Sequence, residues 1–182
     1  MSSVTVHPPE PQVSELLRAA FRRHAAGVAV ITAAGPVGLT ASSVASVSTD
    51  PPALSFSVMG SRRGRALLGA PTFVINLLGP GHAALARDFA SSETARFAPE
   101  HGWVTLPTGE PHLSGAIAAL RATALHRIPV GASTLVIAEV VDVILGTPDK
   151  PLIHLDKNFF IGTGPAALNR TDPVAPRQAT GA

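Results

Sequence analysis

The sequence predicts a mainly β domain with a few short helices, folded as a closed or nearly closed antiparallel barrel. Three observations carry that prediction. Short apolar segments of alternating polarity recur along the 182 residues, separated by turns drawn from 17 prolines and 16 glycines. Helical spacing is confined to a few short stretches. The pattern also lacks the regular strand–helix alternation of a parallel, doubly wound sheet.

In chain order, residues 1–12 are proline-rich with little to pack and are expected to form an arm, ahead of a single domain over 13–162. Ser14 is a suitable cap for a helix over 14–24, with Leu16, Leu17, Ala20 and Phe21 on one side and Arg18, Arg22 and Arg23 on the other. Gly27 is expected to end it. Val28, Val30 and Thr32 alternate as a strand, and residues 34–36 make a turn. Residues 38–49 then bring four serines and two threonines into a segment whose apolar members still alternate, and Asp50-Pro51-Pro52 closes it. Short hydroxyls at that density suit a wall against which a flat polar ligand lies close to the backbone. A strand over 54–58 has one apolar and one hydroxyl face. A short helix over 65–70, a buried strand over 73–78 and a helix over 82–91 with Leu85, Ala86 and Phe89 inward follow. After a loop holding Phe97 and Trp103, two long strands over 120–128 and 134–145 join at 129–132, and a last strand covers 152–155. Residues 163–182, rich in Gly, Pro and Ala, are expected to be a tail.

Composition narrows the function. Charged residues are only 14% of the chain, against an average near ~25%, which points to a surface covered in a symmetric oligomer, most simply a two-fold dimer. Net charge is +2, but aromatics are few and the arginines mostly scattered, so nucleic-acid binding is not expected. The absence of cysteine excludes disulfides, thiolate metal sites and a cysteine nucleophile. The first residues resemble no signal peptide and no run is long enough to span a membrane, so a cytoplasmic protein is expected.

Motifs for chemistry are sparse. Residues 162–167 spell G-x-G-x-x-A, but only 15 residues follow and none is acidic at the required distance, so a Rossmann reading fails. The seven histidines form no metal-binding pair, and no acid, base or nucleophile is evident, so the expected lists of catalytic residues and of metal ligands are empty. A hydroxyl-lined wall without a catalytic constellation suits chemistry brought by a bound cofactor. Ser61-Arg62-Arg63-Gly64-Arg65, after a strand and before a short helix, offers cations to a phosphate.

Six blocks in order resemble one family. They are residues 21–32, Gly38-Leu39-Thr40-Ala41-Ser42-Ser43 with 46–52, residues 73–78, Leu85-Ala86-Arg87-Asp88-Phe89-Ala90, Ala138-Glu139-Val140 and Pro151-Leu152-Ile153-His154. On these blocks the chain resembles, over about residues 17–161, the short-chain flavin reductases. These have an FMN-binding antiparallel split β-barrel and supply reduced flavin to two-component monooxygenases. The resemblance implies FMN or FAD as cofactor, NADH or NADPH as co-substrate, a homodimer, and a flavin-dependent monooxygenase as partner. It places Thr40, Ala41, Ser42 and Ser43 against the flavin. Ser57, Ser61, Arg62 and Arg63 fall near its ribityl-phosphate, and Ala86 and Phe89 flank the site. Ser133, His154 and Phe159 fall at the nicotinamide. In this chain Ser133 replaces a histidine of the family hairpin, and Lys157 stands for an arginine of the closing motif. A flavin-binding carrier that does not oxidise NAD(P)H is the second reading, and a non-catalytic barrel used for assembly is the third.

Overall fold

Prolines and short hydroxyl side chains stand at several element boundaries in the computed structural model, which describes residues 11–91 and 96–162. Helix α1 (Pro11–Phe21) begins inside the stretch expected to be an arm, so Ser14 lies within the helix and does not cap it. The helix ends at Phe21, six residues before Gly27, because the N–H groups of Arg23 and His24 bond three residues back and tighten the last turn. Short strand β1 (Ala26–Gly27) is followed by β2 (Ala29–Ala33), β3 (Val37–Ala41), β4 (Ala45–Thr49) and β5 (Pro52–Met59). Helix α2 (Arg62–Leu68) leads to β6 (Thr72–Leu77) and α3 (Ala83–Ala90). A small hairpin of β7 (Trp103–Thr105) and β8 (Pro111–Leu113), absent from the sequence reading, places His112 in a strand where a loop was expected. Strands β9 (Ala118–Val130) and β10 (Ser133–Leu145) turn at Gly131, whose φ of 57° is the left-handed first position of a two-residue hairpin. The chain then forms β11 (Leu152–Leu155) and β12 (Asn158–Ile161), the latter also unforeseen.

Seven strands form one antiparallel sheet in the order β3-β2-β6-β9-β10-β5-β4, beside a three-stranded sheet β1-β11-β12. The hydroxyl-rich segment expected as one strand is therefore two, at opposite edges of that sheet. Residues 42–44 carry the chain from one edge to the other, which forces the sheet to curl into a barrel. No ladder joins β3 to β5, so the barrel is split there. Two register shifts in the β9–β10 pairing let the long hairpin bend around the barrel.

The interior is filled by Ile31, Phe56, Phe73, Ile75 and Val136, with Phe56 and Phe73 edge to face at 5.3 Å and Leu67 of α2 plugging one end. A second core on the outer face joins Val28, Val30, Leu85, Phe89, Leu113 and Leu152. Strand β2 is buried along its whole length because it has a core on each side. Its one polar residue, Thr32, donates to the Val74 and Pro111 carbonyls, while Asn76 donates to Val30 O at 3.0 Å and accepts from the Leu113 N–H at 2.9 Å. These bonds fasten β8 over β2 and β6.

One buried charge lies below the barrel. Glu110 is wholly inaccessible, and Arg121 Nε reaches its Oε1 at 3.1 Å. Burial pushes its carboxyl up, but hydrogen bonds from Thr108, Thr72 and its own backbone N–H, together with Arg121, outweigh that and leave it below the ordinary value. Glu110→Gln is expected to destabilise the fold by about 3 kcal/mol, the low end for a broken buried pair because Arg121 keeps partial exposure. Since the folded carboxyl is depressed, this contribution is present above the unfolded value (about 4.3) and lost as pH falls through the folded one. Urea unfolding across that acid range should show the wild type losing its advantage over the variant.

Candidate functional site

The gap between β3 and β5 is filled by helices, and their close approach depends on two glycines. Helix α2 lies so near β5 that a Cβ on Gly64 would collide with the Met59 carbonyl oxygen. A Cβ on Gly38 would meet Phe89 Cε1 of α3 at 2.7 Å. Phe89 is 1% exposed and packs with Phe97 and Trp103, their ring centroids 5.1–5.4 Å apart. Thr40 Oγ1 donates to the Ala86 carbonyl at 2.7 Å, tying β3 to α3.

Along this gap run three adjoining cavities. The middle one, about 730 Å³, is lined by Thr40, Ser57, Met59, Ser61, Arg63 and Phe89. It shares Ser61 and Arg63 with a cavity of about 620 Å³ bounded by Pro36, Arg62, Arg96 and Phe97. On the other side it shares Thr40 and Ala90 with one of about 440 Å³ lined by Ser42, Arg87, His154, Lys157 and Phe159. The result is a trough with hydroxyls in the middle and cations at both ends, suited to a long ligand with a polar planar centre and anionic extremities.

Most of the residues expected at the site lie along this trough, but several have structural duties there. Ser43 Oγ accepts from the Ser57 N–H at 2.9 Å and donates to the Ser57 carbonyl at 3.4 Å, so it ties β5 to the 42–44 crossover. Helix α2 starts three residues earlier than expected, because Ser61 Oγ accepts from the Gly64 N–H at 3.0 Å. Arg62 and Arg63 are thereby helical, Arg62 exposed and Arg63 half-buried. The side chains of Ala41 and Ala86 point into the two cores, leaving only their backbone to face a ligand. His154 and Phe159 pack together at 5.9 Å between ring centroids and line the far cavity. Ser133 is apart from them, opposite Met59 on β5 and next to Ala132 at the middle cavity.

Three cations escaped the sequence reading. Arg63 Nη1 donates to the Ser91 carbonyl at 2.7 Å, and Arg96 donates to the same oxygen. Burial lowers the Arg96 pKa, the neighbouring Arg63 adds to this, and Asp88 opposes it. At the far end the Arg87 guanidinium lies 5.7 Å from the Phe159 ring centroid. Lys157, with Asp156, forms the two-residue turn between β11 and β12, both at positive φ (64° and 45°). Arg87 and Lys157 had signals, in the 85–90 block and in the closing motif; Arg96 sits in no motif. Among the described residues no cluster of three or more His, Asp or Glu side chains is placed to hold a metal ion.

Known proteins resemble the chain in both sequence and fold. The family model described as "Flavin reductase like domain" matches residues 21–163. An NADH:FMN oxidoreductase of Rhodococcus qingshengii is 42% identical over 151 residues, covering 79% of each chain. The NADH:FAD oxidoreductase SgcE6 of Streptomyces globisporus C-1027, solved with NAD and FAD fragments, superposes with a TM-score of 0.78 at 28% identity, covering 89% of this chain and 99% of that one. The styrene monooxygenase flavin reductase of Pseudomonas putida S12 gives a TM-score of 0.74 at 25% identity, covering 82% of this chain and 99% of that one.

The left-handed backbone at Lys157 is unfavourable for an L-residue and is held where it puts a cation over the far cavity. Lys157→Gly should stabilise the protein by about 0.5–1 kcal/mol, the strain relieved less the freedom that glycine adds to the unfolded chain. An unchanged or lower urea midpoint would show that the turn carries no such strain.

Proposed function

Because the chain belongs to the flavin reductase family, we propose that it is an oxidoreductase that passes hydride from NADH or NADPH to FMN or FAD. The observation that carries this reading is the trough itself. Its hydroxyl-lined middle suits an isoalloxazine edge, and Arg62 and Arg63 at one end suit the ribityl-phosphate. The buried Arg96 Nε, which has no hydrogen-bond partner among the described residues, marks the same end as built for an anion.

When bound, the flavin supplies the hydride acceptor, and the protein's own contribution is placement. Thr40, held by Ala86, and Ser57, held by Ser43, keep the wall of the trough rigid. Phe89 and its aromatic neighbours back that wall and exclude water from one side. His154, Phe159, Arg87 and Lys157 form the receiving end for the nicotinamide nucleotide. Hydride transfer calls for no proton from a side chain, which agrees with a trough built for positioning.

Two wider proposals complete the reading. The reduced flavin is released to a flavin-dependent monooxygenase, as the name of the styrene monooxygenase reductase suggests for this fold. The protein works as a cytoplasmic homodimer, which would cover Leu16, Leu17 and Phe21 of α1 and Val141, Val143 and Leu145 of β10, Leu145 being 80% exposed. A second reading, a flavin carrier without NAD(P)H oxidation, is favoured by one observation: Ser133 occupies the hairpin position where the family pattern has histidine.

Purified protein mixed with NADH and excess FMN is expected to consume NADH, the reduced-nicotinamide absorbance falling continuously. No consumption with either nicotinamide nucleotide would leave the carrier reading. Arg63→Ala should weaken FMN binding by about 1–3 kcal/mol, the worth of a charge-assisted hydrogen bond, and unchanged affinity would remove Arg63 from the site. Leu145→Asp combined with Val143→Asp should shift the protein from dimer to monomer in sedimentation.

A further inference from the structure

We propose that the cavity bounded by Pro36, Arg62, Arg96 and Phe97 holds the adenosine-phosphate half of FAD, so that the protein binds FAD more tightly than FMN. The proposal rests on the flavin reading of the middle cavity and extends it to the neighbouring space.

Three observations carry it. The first is continuity. Ser61 and Arg63 line both cavities, so a ligand whose phosphate lies against them borders about 620 Å³ of further space. That volume falls within the range of about 300–1,000 Å³ typical of small-molecule sites, and a mononucleotide flavin, its phosphate at Arg62 and Arg63, would leave most of it empty.

The second is a surplus of cations. One phosphate is well served by the fork of one or two arginines, and three guanidinium groups stand at this end. Arg63 and Arg96 both donate to the Ser91 carbonyl, so two like charges converge on one neutral oxygen. Arg96 Nε is buried with no partner among the described residues. A second phosphate reached by Arg96 would give the buried nitrogen an acceptor and add to the negative charge that Asp88 brings to the pair.

The third is preorganisation of the walls. Trp103 Nε1 donates to the Arg96 carbonyl at 3.0 Å, and Phe97 packs on Phe89 and Trp103 at 5.1 Å. Arg96 and Phe97 are thus held in place, and Pro36, a rigid apolar residue, and the small Ala66 of α2 line the same cavity. A lining that holds an aromatic ring and a proline suits the flat face of a purine.

NADH brings the same adenosine-diphosphate group, but its receiving end lies on the other side of Thr40, with Arg87 and Lys157. The test therefore separates the two sources. Riboflavin, FMN and FAD are titrated into the full chain by flavin fluorescence quenching, for the wild type, Arg96→Gln and Ala66→Trp. The wild type should bind FAD about tenfold more tightly than FMN, and each variant should bring the two within about twofold. Ala66 is exposed on α2, so filling the cavity there does not depend on the fold tolerating a change at Arg96. Equal affinities of the wild type for FAD and FMN would overturn the proposal, as would an Arg96→Gln variant that weakens FMN as much as FAD. Unchanged flavin binding together with a raised KM for NADH, with FMN as acceptor, would assign the cavity to the donor and also overturn it. Failure of all three flavins to bind would instead overturn the flavin reading beneath it.

Discussion

A barrel of this kind must deal with two open sheet edges, and the chain does so with one side chain. Continuing the β4–β5 register past Ala45↔Ser55 brings Ser43 opposite Ser57. There the Ser43 hydroxyl both accepts from and donates to the Ser57 backbone, replacing the pair of ladder bonds that a strand residue would have made. Backbone pairing therefore stops while the edges remain tied. The backbone is freed to cross from β4 to β3, and the sheet closes everywhere except at the site. The gap left between β3 and β5 is the trough, so the same device that ends the sheet also opens the cavities beside it.

What fills that gap decides what it can bind. Two glycines let α2 and α3 settle against β5 and β3, and the Thr40–Ala86 bond fixes the second of these contacts. The helices deliver arginines to the trough from the outside, while the strands present hydroxyls from the inside. Charge is thus concentrated toward the ends, with Arg63 at the border of the middle cavity. A neutral conjugated ring and an anionic tail would each meet matching chemistry without a charge being buried unpaired. The far end is finished by the β11–β12 hairpin, whose left-handed turn places Lys157 beside Arg87 and Phe159.

Much of the fold was legible because its signals are local. Alternation gave β5 and the long hairpin of β9 and β10, and helical spacing gave α3 with Leu85, Ala86 and Phe89 inward. The short strands β7, β8 and β12 were not legible, since their three or four residues show no clear alternation and, unlike β11 after Pro148 and Pro151, β12 follows no proline or glycine turn. The 38–49 segment misled for a different reason. Its alternation lapses at Ser42-Ser43 and Val44-Ala45, and a lapse that short does not record that these residues leave one edge of the sheet for the other. At the N-terminus, Ser14 looked like a cap, but the helix had already begun at Pro11, a residue well suited to the first turn.

The sequence by itself determined the strand-rich class, the cofactor-dependent character and the hydroxyl and arginine chemistry of the site, because composition, periodicity and ordered motifs are properties of the chain. Only the tertiary structure decided which hydroxyls serve as ties, as with Ser43, Ser61 and Thr40. Only it brought Arg96 beside Arg63 and Lys157 beside Arg87. The physical reason is that a hydrogen bond or a cluster of charges depends on distance in space. In a split barrel that distance is set by how the sheet closes, many residues away from the groups it joins.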